Sequence, residues 1–131
     1  MSHAAARPAL ATALVVPFEQ LRMTDVESVG GKNASLGEMV KHLQPLGINI
    51  PDGFATTSEA FRLFLKENDL FDKLNRLIDA LDKKEYTNLN ATSKTAKELL
   101  LKAKLPKQLE KEITDAYTSL SQIYQSLNRF N

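Results

Sequence analysis

The pattern of apolar and polar positions divides the chain into two regions with different periodicities. In the second region apolar side chains recur every three or four residues, which is typical of amphipathic helices. Three such stripes are present: Phe71, Leu74, Leu77, Ile78 and Leu81; Leu89, Ala96, Leu99, Leu100 and Ala103; and Leu109, Ile113, Ala116, Tyr117, Leu120, Tyr124 and Leu127. Pro106 suits the first turn of the last helix, where a missing N–H group costs little. We interpret the stripes as the buried faces of packed helices.

The first region predicts shorter elements. An apolar segment at 14–18 indicates a strand, and Pro17 within it favours a position at an edge or a strand end. Residues 48–50 and 53–56 read as a second strand that is interrupted at Pro51-Asp52-Gly53, a strong turn signal. We therefore expect a small sheet near the start of the chain.

Two helices are also predicted in this region. The first has Asn33 as its N-cap and ends at Pro45 and Gly47, and its apolar positions are Leu36, Met39, Val40 and Leu43. The second follows a capping box in which Glu59 stands three residues after Thr56. Its apolar face consists of Ala60, Phe61, Phe64 and Leu65.

Glycine and proline usage supports the same division. All five glycines lie between Gly30 and Gly53, and four of the five prolines precede residue 52. The predicted fold class is α+β, with a small strand-containing N-terminal portion followed by a mainly helical portion. We expect a flexible Ala-rich tail at 1–13 and one domain at 14–131. That domain is rich in strands and turns at 14–57 and helical at 58–131.

The net charge and the numbers of cysteine and histidine residues exclude several classes of function. The net charge of +1 gives no global field that would recruit nucleic acid or an anionic membrane, and the chain has no cysteine. A disulfide framework, a zinc–thiolate site and a cysteine nucleophile are thereby excluded, which is compatible with the cytoplasm. The two histidines, His3 and His42, are far apart, and no apolar run is long enough to span a bilayer.

The segment Gly30-Gly31-Lys32 carries the most chemistry. Two glycines allow a tight turn, a lysine follows, and a helix begins, which together make a seat for phosphate. A Walker-type loop is rejected because Val26 and Asn33 occupy the places of its first glycine and its hydroxyl residue. The alternative is that the glycines only turn the chain and that Lys32 is solvated. The residues alone leave both interpretations open.

Other polar groups give weaker signals. Asp25 and Glu27 stand two residues apart before the glycines, where they could touch a metal ion or a ribose, or simply be solvated. His42 lies near the C-terminus of its predicted helix, a favourable place for a cation, and has no evident partner. Ser35 has no neighbouring histidine that could activate it. None of these groups predicts a catalytic acid, base or nucleophile.

Two segments of the first region resemble a known family. The segment 21–39, which contains Gly-Gly-Lys-Asn-Ala-Ser-Leu-Gly-Glu-Met, resembles the opening of the phosphoenolpyruvate synthases (pyruvate, water dikinases). The segment Ile-Pro-Asp-Gly-Phe-Ala-Thr-Thr at 50–57, followed by apolar pairs at 60–61 and 64–65, is similar to the second early block of that family. The related pyruvate phosphate dikinases share the Gly-Gly-Lys and Pro-x-Gly-Phe elements.

The resemblance implies a fold and an activity. It implies part of an ATP-grasp-like nucleotide-binding domain in which Lys32 contacts the ATP phosphates and Gly30 and Gly31 form the loop. In the full-length enzymes phosphate passes from ATP to a histidine on a swivelling domain and then to pyruvate, with Mg²⁺. The products are phosphoenolpyruvate, AMP and phosphate, and the reaction belongs to gluconeogenesis in the cytoplasm.

The resemblance also implies parts that this sequence does not contain. An Ala-Val-Arg-Ser-Ser-like segment, the metal-binding carboxylates, the phosphohistidine domain and the pyruvate barrel would all follow Asn131. We therefore expect an N-terminal fragment without catalytic residues or metal ligands, inactive by itself and with weak or no ATP binding. The alternatives are a fragment of a pyruvate phosphate dikinase or a related phosphotransferase, and a non-catalytic helical adaptor.

Overall fold

The computed structural model describes residues 8–128, which form two compact units. The first unit contains the chain up to Phe61 together with the part from Lys107 onward, and the second contains Arg62–Pro106. Within the described residues, no helix combines the length and the apolar character needed to cross a bilayer.

The first unit holds all the strands described and most of the short elements. Its helices and strands are α1 (Pro8–Ala11), β1 (Val15–Pro17), α2 (Val26–Val29), α3 (Gly31–Leu43), β2 (Phe54–Thr56), the start of α4 (Ser58–Glu67), and α7 (Lys107–Asn128). Three 3-10 turns join them, at Phe18–Gln20, Met23–Asp25 and Gln44–Leu46. Helices with a small sheet make the fold α+β, as the sequence predicts.

The sheet is a pair of antiparallel strands. Val16 of β1 lies opposite Ala55 of β2, and Pro17 lies opposite Phe54. Because the sheet has two strands within residues 8–128, Pro17 sits on an edge strand, where its missing N–H group costs no ladder hydrogen bond. The predicted strand at 48–50 was wrong. That segment is a loop, in which the side-chain amide of Gln44 donates to the carbonyl of Ile50 over 3.1 Å.

The buried core of this unit begins earlier than expected. One apolar cluster joins the two strands to the helices that follow, and its members are Leu10, Val16, Leu21, Val29, Ala34 and Ala55. Leu10 lies in α1 and is only 5% exposed. The structure thus has a helix with a buried leucine where the sequence led us to expect the end of a flexible tail at 1–13. Residues 1–7 of that tail lie outside the described residues.

Helix α3 packs directly on the backbone that precedes it. A Cβ atom at Gly37 would lie 2.5 Å from the Cβ of Leu21 and 2.8 Å from its carbonyl oxygen. Gly37 and Leu21 are both buried, and Leu21 is 1% exposed. A glycine at this position therefore lets the helix touch the chain that leads into α2.

The cap of helix α4 is Thr57 and not Thr56. The hydroxyl group of Thr57 accepts the N–H of Ala60 over 3.1 Å and donates to the carbonyl of Ala13. Thr56 pairs in the sheet as the last residue of β2, so the capping box that the sequence predicted starts one residue too early. Thr57 is buried, and its hydroxyl joins the start of α4 to the chain before β1.

The second unit is helical and contains no glycine. It comprises the end of α4, α5 (Phe71–Asp79) and α6 (Leu89–Lys102). Asn68 joins its ends, because its amide nitrogen donates to the carbonyl of Lys104 over 2.8 Å and its oxygen accepts the N–H of Lys104 over 3.0 Å. The predicted helices of this region are confirmed, and Pro106 directly precedes α7. The interpretation of their stripes as buried faces was wrong for α5 and α6, in which no residue is fully buried and Phe71 and Ile78 are exposed.

Candidate phosphate-binding site

A single residue, Gly30, makes the corner between helices α2 and α3. Its backbone angles are φ 84° and ψ 162°, a region that is essentially restricted to glycine. The Gly30 N–H donates to the carbonyl of Val26 over 2.7 Å, and the Gly30 carbonyl accepts the N–H of Ala34 over 3.1 Å. Gly30 is therefore a fixed corner with a hydrogen bond on each side.

The corner leaves the start of helix α3 without a side-chain cap. Gly30 is the N-cap and has no side chain to offer. The sequence-predicted cap, Asn33, was wrong: it lies in the first turn, and its amide donates backwards to the carbonyl of Val29 over 2.9 Å. The first N–H groups of a helix have no partner within the helix. The backbone N–H groups of Gly31, Lys32 and Asn33 donate to no acceptor among residues 8–128.

Lys32 adds a full positive charge to this helix end. It lies in the first turn of α3, is exposed, and has no ion-pair partner in the described part of the chain. Gly31 beside it is also exposed, and no atom lies within 4 Å of where its Cβ would be. Exposed N–H groups, the positive end of the helix dipole and an ammonium group together favour an anion with several oxygen atoms.

Of the two carboxylates before the corner, Asp25 is buried. It is 1% exposed, and its Oδ2 accepts the N–H of Arg22 over 2.8 Å. Asp25 thus closes the 3-10 turn Met23–Asp25, so solvation was the wrong interpretation for this residue. Glu27 is exposed on α2. Within residues 8–128 no group of three or more His, Cys, Asp or Glu side chains is placed to hold a metal ion.

Sequence reasoning missed Glu38. Its Oε1 accepts the backbone N–H of Met23 over 2.9 Å, and its Oε2 lies 2.9 Å from Nε2 of His42. The Met23 hydrogen bond above all, and then His42, lower the pKa of the Glu38 carboxyl below its ordinary value. His42 therefore has a partner, and the spacing of four residues between Glu38 and His42 on a predicted helix was a signal that could have found it. The Met23 contact spans 15 positions and uses a backbone group, so no residue pattern could have signalled it.

A second missed residue is Ser58, the first residue of α4. Its hydroxyl group lies 2.8 Å from the carbonyl oxygen of Glu27 and 3.2 Å from that of Ser28, and it donates to this pair of acceptors. Both carbonyl groups belong to α2. Helix α4 is thereby joined to the short helix that leads into the Gly30 corner.

Comparison with known proteins places this corner inside a matched domain. The family described as the pyruvate phosphate dikinase AMP/ATP-binding domain matches residues 26–129. The chain is 48% identical over 104 residues to the phosphoenolpyruvate synthase of Deinococcus radiodurans. It is 44% identical over 106 residues to that of Neisseria meningitidis serogroup B, and 39% identical over 108 residues to that of Escherichia coli K12.

These matches cover 79–82% of this chain and only 13–14% of the length of the three relatives. They confirm the resemblance that the segments at 21–39 and 50–57 predicted. The match to the family extends well beyond those segments and includes the described parts of α6 and α7. The chain therefore belongs to the family of the pyruvate phosphate dikinase AMP/ATP-binding domain, and its matched relatives are phosphoenolpyruvate synthases.

Proposed function

We propose that this chain supplies part of the ATP site of a phosphoenolpyruvate synthase and that Lys32 binds the ATP phosphates. One observation carries the proposal. The Gly30 corner, at φ 84° and ψ 162°, leaves the N–H groups at the start of α3 without partners beside the exposed Lys32. The match of the family's AMP/ATP-binding domain over this corner supports a nucleotide as the source of the anion.

The physical role follows from charge and geometry. A phosphate chain carries several negative charges, and the Lys32 ammonium group is a compact, flexible point charge that can follow them. The N–H groups of Gly31 and Lys32 are fixed in direction by the helix, so they can orient one phosphate while Lys32 offsets its charge. During phosphoryl transfer such groups act by positioning and by stabilising charge.

The wider reaction is part of the same proposal. In the complete enzyme phosphate passes from ATP to a histidine and then to pyruvate, giving phosphoenolpyruvate, AMP and phosphate in the cytoplasm. Pyruvate, the phosphohistidine domain and the second lobe of an ATP-grasp-like domain belong to other parts of such an enzyme. In this proposal Mg²⁺ enters as the ion that accompanies ATP.

A fragment of a pyruvate phosphate dikinase is the second candidate, favoured by the description of the matched domain. Both candidates use Lys32 in the same way, and the reading frame after residue 131 would separate them. A non-catalytic adaptor is the third. Unchanged ATP turnover after Lys32→Ala in the longer enzyme would favour the adaptor.

The test is an NMR titration of the whole chain with ATP, in the presence of Mg²⁺, and with inorganic tripolyphosphate. We expect weak binding, in the millimolar range, because one helix end replaces a closed cleft. The backbone amide signals of Gly31, Lys32 and Asn33 should shift most. Micromolar affinity measured by calorimetry would contradict the expectation that the fragment holds only part of the site.

Two variants give the titration its control. Lys32→Ala should abolish the amide shifts, whereas Lys41→Ala removes an exposed lysine from the last turn of the same helix and should leave them unchanged. Equal loss in both variants would indicate attraction by overall charge. Unchanged shifts in Lys32→Ala would reject the proposed role of Lys32.

A further inference from the structure

The backbone that leads into the Gly30 corner is held from outside by side chains of two other helices. We call residues 23–29 the strap, which consists of a 3-10 turn and α2. Glu38 of α3 binds its first N–H group, at Met23, over 2.9 Å. Ser58 of α4 binds carbonyl oxygens near its end, at 2.8 Å from that of Glu27. The strap is therefore fixed near both ends before the chain turns at Gly30.

The orientation of Lys32 depends on these two anchors. Gly30 joins the strap to α3 through one residue, and glycine has the least intrinsic preference for any particular φ and ψ. A corner that is free to rotate would spread the direction of the first N–H groups of α3. An anchored strap restricts Gly30 to one pair of angles and keeps its bonds to Val26 and Ala34.

We infer that Glu38 and Ser58 are positioning residues, which fix the Gly30 corner and thereby the phosphate-binding N–H groups and Lys32. The inference rests on the proposed function for the ligand and on the hydrogen bonds of the strap for the geometry. Neither residue needs to touch the phosphate. Glu38 lies six residues along α3 from Lys32, and its carboxylate is already engaged by Met23 and His42.

Removing Glu38 has two opposite effects on anion binding. Loss of the carboxylate makes the chain more positive, which strengthens anion binding. Loss of the hydrogen bond to Met23 frees the strap, which weakens anion binding. Glu38→Ala removes both the charge and the acceptor, whereas Glu38→Gln removes the charge but keeps an oxygen that can accept the Met23 N–H. The two variants therefore separate positioning from electrostatics.

The first measurement needs no ligand. Amide hydrogen exchange at Gly30 and Ala34 reports the two hydrogen bonds that flank the corner. We expect exchange at both to be about tenfold faster in Glu38→Ala and less than about threefold faster in Glu38→Gln. His42→Ala removes the other partner of Glu38, keeps Met23 bound, and should match the wild type. Exchange that is unchanged in Glu38→Ala, or equally fast in Glu38→Ala and His42→Ala, would overturn the inference.

The second anchor is tested in the same way. Ser58→Ala should accelerate exchange at Gly30 by about fivefold, and Ser58→Thr, which keeps the hydroxyl group, should restore protection. Asp82→Ala is the control for a general loss of stability, because Asp82 lies in the second unit. It should leave exchange at Gly30 and Ala34 unchanged. An equal effect of Ser58→Ala and Ser58→Thr would remove Ser58 from the inference.

The third measurement is the affinity for inorganic tripolyphosphate by NMR. We expect the Kd to rise about fivefold in Glu38→Ala and to stay equal or fall in Glu38→Gln. Tighter binding in both variants would show that Glu38 acts only through its charge and would overturn the inference. If tripolyphosphate fails to shift Gly31 and Lys32 even in the wild type, the proposed function fails, and the exchange data still decide whether the strap is anchored.

Discussion

Two carboxylates, one in each unit, bind backbone N–H groups, but over very different distances along the chain. Asp82 of the second unit accepts the N–H groups of Lys84 and Glu85, over 3.1 and 3.3 Å, and the hydroxyl of Thr87 over 2.9 Å. All of its partners lie within five positions. Glu38 of the first unit reaches Met23, which is 15 positions away. A local carboxylate shapes one loop between helices, whereas a distant one joins two elements.

The units also differ in how they use left-handed backbone angles. In the second unit these angles occur at Asp69 (φ 53°) and Tyr86 (φ 57°), and both N–H groups are hydrogen bonded to preceding carbonyls. In the first unit they occur at glycines, and Gly30 combines φ 84° with ψ 162°, which other residues do not tolerate. A glycine is required where the chain must turn sharply and leave a helix end open.

The largest effect is expected where the first unit packs most closely. Gly37→Ala would place a Cβ atom 2.5 Å from the Cβ of Leu21, so helix and backbone must separate. We expect a loss of about 3 kcal/mol in the free energy of unfolding, measured with urea. Gly31→Ala is the matched control, since its Cβ would meet no atom within 4 Å, and it should change stability by less than about 0.5 kcal/mol. Equal losses in the two variants would contradict the close contact.

The next effect concerns the corner itself. Gly30→Ala forces an L side chain into angles that only glycine adopts readily, although its Cβ has open space around it. We expect a loss of about 2 kcal/mol and movement of the Lys32 amide signal. The control is Gly47→Asn, because φ 82° and ψ 9° lie in the left-handed region that Asn tolerates, and it should cost less than about 1 kcal/mol. If Gly30→Ala changed neither the stability nor the Lys32 amide signal, the corner would not be fixed.

A smaller, pH-dependent effect is expected from Asp82. The Thr87 hydroxyl, followed by the N–H groups of Glu85, Lys84 and Thr87, lowers the pKa of Asp82 below its ordinary value of 3.8. A carboxyl whose pKa is lower in the folded chain stabilises it above the ordinary pKa and loses that contribution as the pH falls through the lowered value. Asp82→Ala should thus reduce Tm by about 2–4 °C at pH 7 and by less near pH 2. A pH-independent difference in Tm would contradict the role of the ionised carboxylate.

The smallest effect is expected at the exposed pair of Lys111 and Asp115 on α7. Their charged atoms lie 2.7 Å apart, but both side chains are well exposed, so solvent and salt screen the attraction. Lys111→Ala should leave Tm unchanged within experimental error. A clear drop in Tm would contradict the expectation that this exposed ion pair contributes little to stability.

The sequence predicted most of the helices because apolar positions recur at helical spacing, but it overestimated their burial, since no residue of α5 or α6 is fully buried. It predicted the first strand and the Gly30-Gly31-Lys32 corner as well. It misplaced the cap of α3 because Asn33 is a good N-cap by type, yet Gly30 with its positive φ is the N-cap, three residues earlier. It missed the contact of Glu38 with Met23 because Glu38 binds a backbone N–H group. Every residue except proline has such a group, so the residue type at position 23 gives no signal.

Paramagnetic broadening can locate the ATP phosphates on the chain and so tests directly whether the start of α3 binds them. MnATP at low molar ratio, with excess ATP to keep free Mn²⁺ low, broadens the amide signals closest to the phosphate-bound ion. We expect the signals of Gly31, Lys32 and Asn33 to broaden first in the wild type, and this selectivity to be lost in Lys32→Ala but kept in Lys41→Ala. Broadening centred elsewhere in the chain, or identical in Lys32→Ala and the wild type, would contradict the proposal that this helix end binds ATP.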